Sequence, residues 1–540
     1  MKPFDQTQKK FIWISVLISL LYFVAFIFPN KAASENIKMV AVFEPDESVP
    51  LPYLLRMIEP ADSPKQALIN FAFYDYYFYG FPYFAASALS LLPLVPLGLI
   101  ENISLVMVML RQMISVLPIL LTALFLVHIQ TGFRSYKSVV LLLLLLSIPA
   151  VVQNNFWWHP DSMVTFLSVV VIWLLNRDDL KFGSGYYLAA VTCGFTAGTK
   201  GIGFYFFLTV FVYLLLGYFS KKVALKKLFL HAVGFLLCMA FGYWLANPIL
   251  IYRGVRNDYF TVMNEQSDEL YFGYWVLYAK GFLASLPLLT EYYGNILFLA
   301  LAVLACGIGI VKDKNRLLNI LIITWLIPLS VLVFWITNFK FQYWIPVALP
   351  LFSTMVRYLP DKISLPLAWR DLAPYKDIHP LPQVLISLAV VVQLASFVKM
   401  DIPRYLDFLN RAENEPALRF YDLAVDALKP LPEKGIFVYH DVRMYFPRTE
   451  RWATEAKFKP LDYEYIRARD FEVVMVMHQR IKDYLNEGVV GVNPEEFALS
   501  QAFYRDVRMG KMTGYQLVFQ DDFGLVFVRD DVYQEFYLQK

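Results

Sequence analysis

Three short stretches hold residues able to do chemistry. "FEPDES", 43–48, carries Asp46 and Glu47 a few residues beyond the first apolar segment. Pro45 restricts Glu44 to an extended backbone and stiffens the approach to Asp46. A carboxylate so placed can act as a general base at a membrane surface, or simply be a solvated loop acid. "NNFWWHPDSMVTFL", 154–167, crowds Asn154, Asn155, His159 and Asp161 between two apolar blocks. Trp157 and Trp158 are interfacial anchors in type. Asp161 follows a proline and precedes a serine, so it either caps a helix or serves as a second site carboxylate. "VTCGFTAGTKGIGFYFF", 191–207, sets Lys200 among Gly194, Gly198, Gly201 and Gly203. Glycines permit close backbone approach. A lysine at membrane depth is costly and marks a functional position unless it snorkels to the interface. Its ammonium suits a phosphate as a point charge.

Weaker candidates are Arg111, about seven residues into a span, which pairs with Glu101 or with a lipid phosphate, and Asp75 within the aromatic run "FYDYYFYGFPYF" (73–84). Lys340 and Tyr343 stand at a helix start in "NFKFQYWIPVALPLF" (338–352). The sequence holds no Walker loop, zinc motif or nucleophile elbow. Cys193, Cys238 and Cys306 all fall inside apolar blocks and read as packing residues.

These residues need a membrane scaffold. Of 540 residues, 58% are apolar and 17% charged, where a soluble chain is nearer a quarter charged. The apolar excess lies in blocks of roughly 17–25 residues, the length that crosses a bilayer as a helix. The net charge of +3 gives no case for nucleic acid. After an N-terminal anchor, "FIWISVLISLLYFVAFIF", blocks fall near 82–100, 104–130, 137–153, 162–176, 186–201, 203–219, 228–251, 291–311, 317–337, 341–357 and 381–399. Short cytoplasmic loops collect Lys and Arg. Lys9, Lys10 and the loops 134–137, 177–181, 221–227, 312–316 and 357–376 are therefore placed inside. The parity works if 82–100, broken by Pro82, Pro93 and Pro96, does not cross.

The expectation is an α-helical polytopic membrane protein of about eleven full spans with juxtamembrane helices. Residues 29–103 form a long first external loop and 252–290 a second, within a transmembrane domain 1–399. Asp46, Asp161 and Lys200 then share the external face. From about 400 charged residues become frequent. Strand-like runs appear at 435–440, 471–478, 515–520 and 524–529, with helical patterns at 415–428 and 479–488 and a hairpin closed by "DDFG". This predicts a small extracytoplasmic α/β domain over 400–540.

With those motifs in order, the chain resembles the GT-C superfamily of polytopic glycosyltransferases, in particular the aminoarabinose transferases of lipid A and the protein O-mannosyltransferases. The resemblance rests on Pro45-Asp46-Glu47 in the first external loop, Asp161 in "HPDS", the turn from Gly194 to Gly201 with Lys200, and Lys340, Tyr343 and Pro346 at a late span start. It covers residues 11 to about 357, and the family's non-spanning first loop agrees with the parity argument. One departure is that "YDYYFYGFPYF" lacks the Lys or His that relatives carry at the end of the first loop, leaving Asp75 as its polar candidate. The resemblance implies a plasma-membrane (inner-membrane) enzyme of the cell envelope that takes a sugar from a polyprenyl-phosphate carrier to a lipid, glycan or protein acceptor, with inversion. It implies Asp46 as base with Glu47 beside it, Asp161 orienting the acceptor, and Lys200, with Arg111 or Lys340, on the donor phosphate. A divalent cation between Asp46 and Asp161 stays open, since no ligand spacing demands one. A secondary transporter or flippase would favour inverted repeats, which the sequence does not show. A non-catalytic scaffold would leave Asp46, Asp161 and Lys200 converging by accident.

Overall fold

The computed structural model describes residues 4–272, 281–312, 315–360, 380–413, 416–457, 460–485 and 494–538. Lys362, Arg370 and Lys376 of the last basic stretch, residues 273–280 of the second loop and 486–488 of a helical pattern lie outside the described residues. The chain divides into two compact units. One holds Met1–Lys31, Tyr53–Met263 and Ala279–Leu409; the other holds Ala32–Pro52, Asn264–Tyr278 and Asn410–Lys540.

The first unit is helical. Among the described residues six helices are long and apolar enough to cross a membrane: Gln6–Lys31, Ile103–Thr131, Gly201–Phe219, Leu225–Ala246, Arg316–Ile336 and Leu381–Asn410. A pair bent by 82°, Phe282–Tyr293 and Ile296–Lys312, makes a seventh if taken as one span. The expected figure of eleven came from apolar blocks, several of which fold as shorter or more charged helices. Block 137–153 breaks into Lys137–Leu146 and Pro149–Asn154 because Pro149 cannot continue the preceding helix. Asp161–Asp178 has 18 residues but carries three charged groups, Asp161, Arg177 and Asp178. Between Ala32 and Asn102 the helices are all short, the longest being Phe81–Leu91.

Ser184–Thr199 lies tightly against Leu225–Ala246. A Cβ at Gly194 would sit 1.9 Å from the Met239 carbonyl oxygen, so only glycine permits this approach. Thr196, Thr199 and Cys193 are buried in the same helix. Ile103–Leu110 passes through a π-helical turn, Arg111–Val116, into Leu117–Thr131.

The second unit is built on a five-stranded sheet of β1 (Ile436–His440), β2 (Trp452–Glu455), β3 (Val473–Met477), β4 (Tyr515–Gln520) and β5 (Gly524–Arg529), in the order β2-β1-β3-β5-β4. β1 pairs in parallel with β2 and β3; β5 pairs antiparallel with β3 and β4. Val473 and Met475 face one apolar layer with Val438, Phe420 and Trp452. Val474 and Val476 face the other with Tyr439, Phe503 and Phe527. Alternation sends successive residues to opposite faces, so a strand covered on both sides reads as a continuous apolar run. The "DDFG" hairpin turns on Asp521, whose Oδ1 accepts from the Phe523 and Gly524 amides at 2.7 and 3.1 Å.

Ala32–Pro52 is another segment of this unit. It starts with Ile37–Phe43, capped by Asn36, whose side chain accepts from the Met39 amide at 3.0 Å. The turn Pro45–Ser48 follows. Arg411 donates twice to the Ala32 carbonyl, at 3.1 and 2.9 Å, and its guanidinium lies 4.7 Å from the Phe43 ring centre. Arg443 donates to the Phe43 carbonyl at 3.2 Å.

Candidate active site

In the helical unit, residues from four distant parts of the sequence meet on Asp161. Pro160 precedes the first helical residue, which fixes Asp161 at the head of Asp161–Asp178. Its side chain is 1% exposed. Lys200 follows the last residue of Ser184–Thr199 with φ −156° and ψ 136°, so the backbone leaves the helical path there. The Lys200 ammonium donates to Asp161 Oδ1 at 2.7 Å and is 4.7 Å from the Tyr343 ring centre. Lys340 approaches the same ring at 5.8 Å. Lysine over the face of a tyrosine gains from the ring quadrupole.

His159 completes the cluster. Its Nδ1 contacts Asp161 Oδ2, and its Nε2 is 2.8 Å from the Tyr79 hydroxyl. A Nδ1–H donated to the carboxylate leaves Nε2 as acceptor from Tyr79 in the neutral ring. Both carboxylate oxygens of Asp161 are thus engaged by basic side chains. The Trp157 ring is 4.1 Å from the imidazole.

The aromatic run of the first loop secures this segment. Trp158 donates to Ser87 Oγ at 2.9 Å, and the Tyr83 hydroxyl donates to the Trp158 carbonyl at 3.2 Å. Tyr83 and Trp158 stack with centres 5.1 Å apart. Behind Lys200, the Gly80 amide donates to the Thr199 carbonyl at 3.0 Å, and a Cβ at Gly80 would fall 1.6 Å from the Gly198 oxygen. On the other side, Asn154 donates to Ser162 Oγ at 2.7 Å, and Asn155 donates to the Tyr22 hydroxyl at 2.9 Å. Of the four glycines around Lys200, Gly194, Gly198 and Gly203 are closely packed, whereas nothing lies within 4 Å of a Cβ at Gly201.

The remaining candidates of this unit are Arg111 and Asp75. Arg111 is fully buried in the π-helical turn and donates to the Asn30 carbonyl at 2.7 Å. Asp75 forms a 2.5 Å ion pair with Arg56 on an exposed surface. That contact engages it with protein, and it leaves the first loop's end without a basic group of its own other than Arg56.

Asp46 and Glu47 belong to the smaller unit. Asp46 is exposed and Glu47 is buried. Glu44 shares their field: burial pushes its carboxyl up to about 7, Glu47 adds to the rise, and Arg443 and Arg411 oppose it. Of the three carboxyls within these four residues, Glu44 is therefore the one that can hold a proton near neutrality.

Glu44, Tyr79 and Gly80 were not singled out from sequence. Glu44 was legible as a third acid beside Asp46; Tyr79 and Gly80 carry no local signal, because their contacts lie 80 and 119 positions away. Among the described residues no three His, Cys, Asp or Glu side chains gather closely enough to hold a metal ion.

No protein-family model matches the chain, and no curated protein matches it. Among solved structures the chain is similar to ArnT from Cupriavidus metallidurans bound to undecaprenyl phosphate, with 12% identity over 96% of this chain and 97% of that one and a TM-score of 0.49. It is similar also to the apo state of ArnT from Cupriavidus metallidurans, with 14% identity, coverage of 96% and 98% and the same TM-score. At that identity and score, function is read from this chain's own residues.

Proposed function

We propose that this chain is an integral membrane glycosyltransferase that moves a sugar from a polyprenyl-phosphate carrier to an extracytoplasmic acceptor. The observation that carries the reading is the Asp161–Lys200–His159 cluster beside Tyr343 and Lys340, at the head of the helix Asp161–Asp178. A buried lysine so placed is costly unless an anion faces it. Asp161 is that anion when no substrate is bound, and the donor phosphate competes for the same ammonium.

In the proposed reaction the acceptor hydroxyl or amine attacks the anomeric carbon. The new bond to that carbon forms as the carbon–oxygen bond to phosphate breaks, which inverts the centre. The acceptor's proton passes to the Asp46 carboxylate, with Glu44 and Glu47 setting the local field. Polyprenyl phosphate leaves carrying the bonding electron pair. Its charge is already delocalised, so the protein's task is positioning and electrostatic stabilisation. Lys200 and Lys340 hold the phosphate, and Asp161 and His159 orient the acceptor side. Arg111, whose guanidinium also donates to the Asn30 carbonyl, is a further candidate for the donor phosphate.

The test is transfer by purified protein in nanodiscs supplied with polyprenyl-phosphate sugars, read by mass spectrometry of candidate lipid, glycan and peptide acceptors. Transfer lost in Asp46→Asn and Lys200→Ala is the expected result. Transport of the lipid-linked sugar without transfer would overturn it.

A further inference from the structure

Away from the candidate active site, three helices of the helical unit enclose an apolar groove. Gln6–Lys31 starts where Leu117–Thr131 ends, and the Gln8 side chain ties them by donating to the Gly132 carbonyl at 2.9 Å. Asp161–Asp178 lies against Leu117–Thr131, with the Trp173 and Phe125 rings 5.3 Å apart. The groove measures about 340 Å³, and its eight lining residues are all Ile, Val, Leu or Phe. Ile12 and Val16 come from the first of these helices, Leu121 and Phe125 from the second, and Phe166 and Val170 from the third. Val16 and Leu121 remain exposed, so the groove is open on its outer side. In an integral membrane protein that side meets acyl chains.

An apolar groove does not by itself name its occupant, but the charges at its end do. Residues three and four apart share a helix face, so each lining stripe can be followed along its helix. Phe166 and Val170 continue through Trp173 to Arg177, whose guanidinium lies 5.3 Å from the Trp173 ring centre. Three residues before Ile12 stands Lys9, next to the Gln8 that holds Gly132. Phe133, another lining residue, is followed by Arg134, whose Nε would lie 3.6 Å from a Cβ at Gly132. Each of the three helices thus brings one exposed cation, Lys9, Arg134 or Arg177, to the same end of the groove.

The acids at this end are engaged. Asp178 accepts from the Phe182 and Gly183 amides at 2.8 Å each and from the Tyr213 hydroxyl at 2.6 Å. Asp179 pairs with Lys222 at 3.4 Å. Asp5 caps the first helix, accepting from the Gln8 amide at 2.8 Å.

The cations also separate this groove from the donor. Asp161 and Arg177 stand near opposite ends of one helix, about 24 Å apart at 1.5 Å per residue. A polyprenyl chain whose phosphate lay on Lys200 would bring only hydrocarbon to Arg177. A lipid with its headgroup at the Arg177 end brings an anion to the cations and an acyl chain to the groove.

We infer that this groove is a binding site for an anionic phospholipid, one acyl chain lying along Val16, Phe125 and Val170 and the headgroup facing Lys9, Arg134 and Arg177. Long basic side chains at helix ends reach the headgroup layer while their stems lie on apolar surface. Each cation near an anionic headgroup is worth roughly fivefold in affinity. The site stands whether or not the transfer reaction is as proposed.

The test uses the full chain in uncharged detergent, incubated with equal amounts of dioleoyl phosphatidylglycerol and dioleoyl phosphatidylcholine. Detergent exchange then removes loose lipid, and mass spectrometry counts what stays and reports the oligomeric state. Wild type is expected to retain phosphatidylglycerol over phosphatidylcholine. The preference should vanish in Lys9→Gln/Arg134→Gln/Arg177→Gln, whose altered side chains are all exposed, while the melting midpoint stays near wild type. It should persist in Lys226→Gln/Lys227→Gln/Arg316→Gln, which removes three exposed cations elsewhere. Val170→Trp fills the groove and should lower retention of both lipids. Equal retention of the two lipids by wild type, or equal loss of preference in both triple variants, overturns the site. Displacement of phosphatidylglycerol by polyprenyl phosphate would give the groove to the donor tail, and a wild-type dimer that Val170→Trp dissociates would give it to a second copy; either overturns it too. None of these outcomes touches the transfer assay, which reads Asp46 and Lys200.

Discussion

Asp161 and the acids at 44–47 are carboxylates in opposite surroundings. Asp161 is buried, and both of its oxygens face basic groups, Lys200 on one side and His159 on the other. Glu44, Asp46 and Glu47 crowd one another, and the guanidiniums of Arg411 and Arg443 only partly offset that crowding. A carboxylate already bonded to two basic side chains has little to give a substrate proton. Glu44, buried and among like charges, has its carboxyl pushed up to about 7. In the proposed reaction one region holds charge in place and the other receives a proton.

The division can be broken in order of expected size. Asp46→Asn keeps the shape of the side chain but cannot take a proton, and loss of a general base costs about 10²–10⁴-fold. Turnover of purified Asp46→Asn at the wild-type rate would remove Asp46 from the reaction. Lys200→Ala is expected to weaken binding of polyprenyl phosphate at least tenfold in a detergent titration, with partial recovery in Lys200→Arg, which keeps the charge in a different geometry. If Lys200 serves Asp161 alone, the folded variant melts earlier yet binds product normally.

Asp161→Asn tests the holding role. Removing one partner of a buried ion pair leaves the other unpaired and costs about 3–5 kcal/mol. Its melting midpoint is expected to fall further than that of Asp46→Asn, whose side chain is exposed. Gly80→Ala comes next. Its Cβ would overlap the Gly198 carbonyl, and overpacking of this kind costs about 1–3 kcal/mol. The displaced segment ends in Lys200, so turnover should drop along with stability.

The smallest effect is one of pH. The Glu44 carboxyl ionises at about 7 in the folded chain and at its ordinary 4.5 when unfolded. Folding takes up a proton between those values, so stability is greatest at the acid end and declines as pH rises from 4.5 to 7. Glu44→Gln should flatten the melting profile across that window. An unchanged slope would place Glu44 outside the crowded group.

Most of the smaller unit's sheet was legible. β1, β3, β4 and β5 carry runs of Val, Ile, Phe and Tyr between turn residues, whereas β2, "WATE", is four residues with one fully buried position and gives no pattern. The candidates that meet on Asp161 were legible by residue type, because His, Asp and Lys are expensive at the edge of a bilayer. Tyr79 and Gly80 were not, since a glycine in an aromatic run does not reveal which distant carbonyl it approaches. Hydropathy also could not assign 32–52 to the sheet unit. It reads neighbours along the chain, and that assignment is made by Arg411 and Arg443, nearly 400 positions later.

That separation has a consequence for biosynthesis. Between Pro52 and Asn410 lie 357 residues, 53 to 409, and the sheet that receives the Asp46 segment follows them. At about 5–20 residues per second, the segment waits roughly 20–70 s after it emerges before its partner exists. Throughout that interval its buried positions, Val40, Val42 and Glu47 among them, have no sheet to cover them. A ribosome that stalls late, or a protease that trims the nascent tail, would thus leave a chain with its membrane helices inserted and its proposed base unmoored.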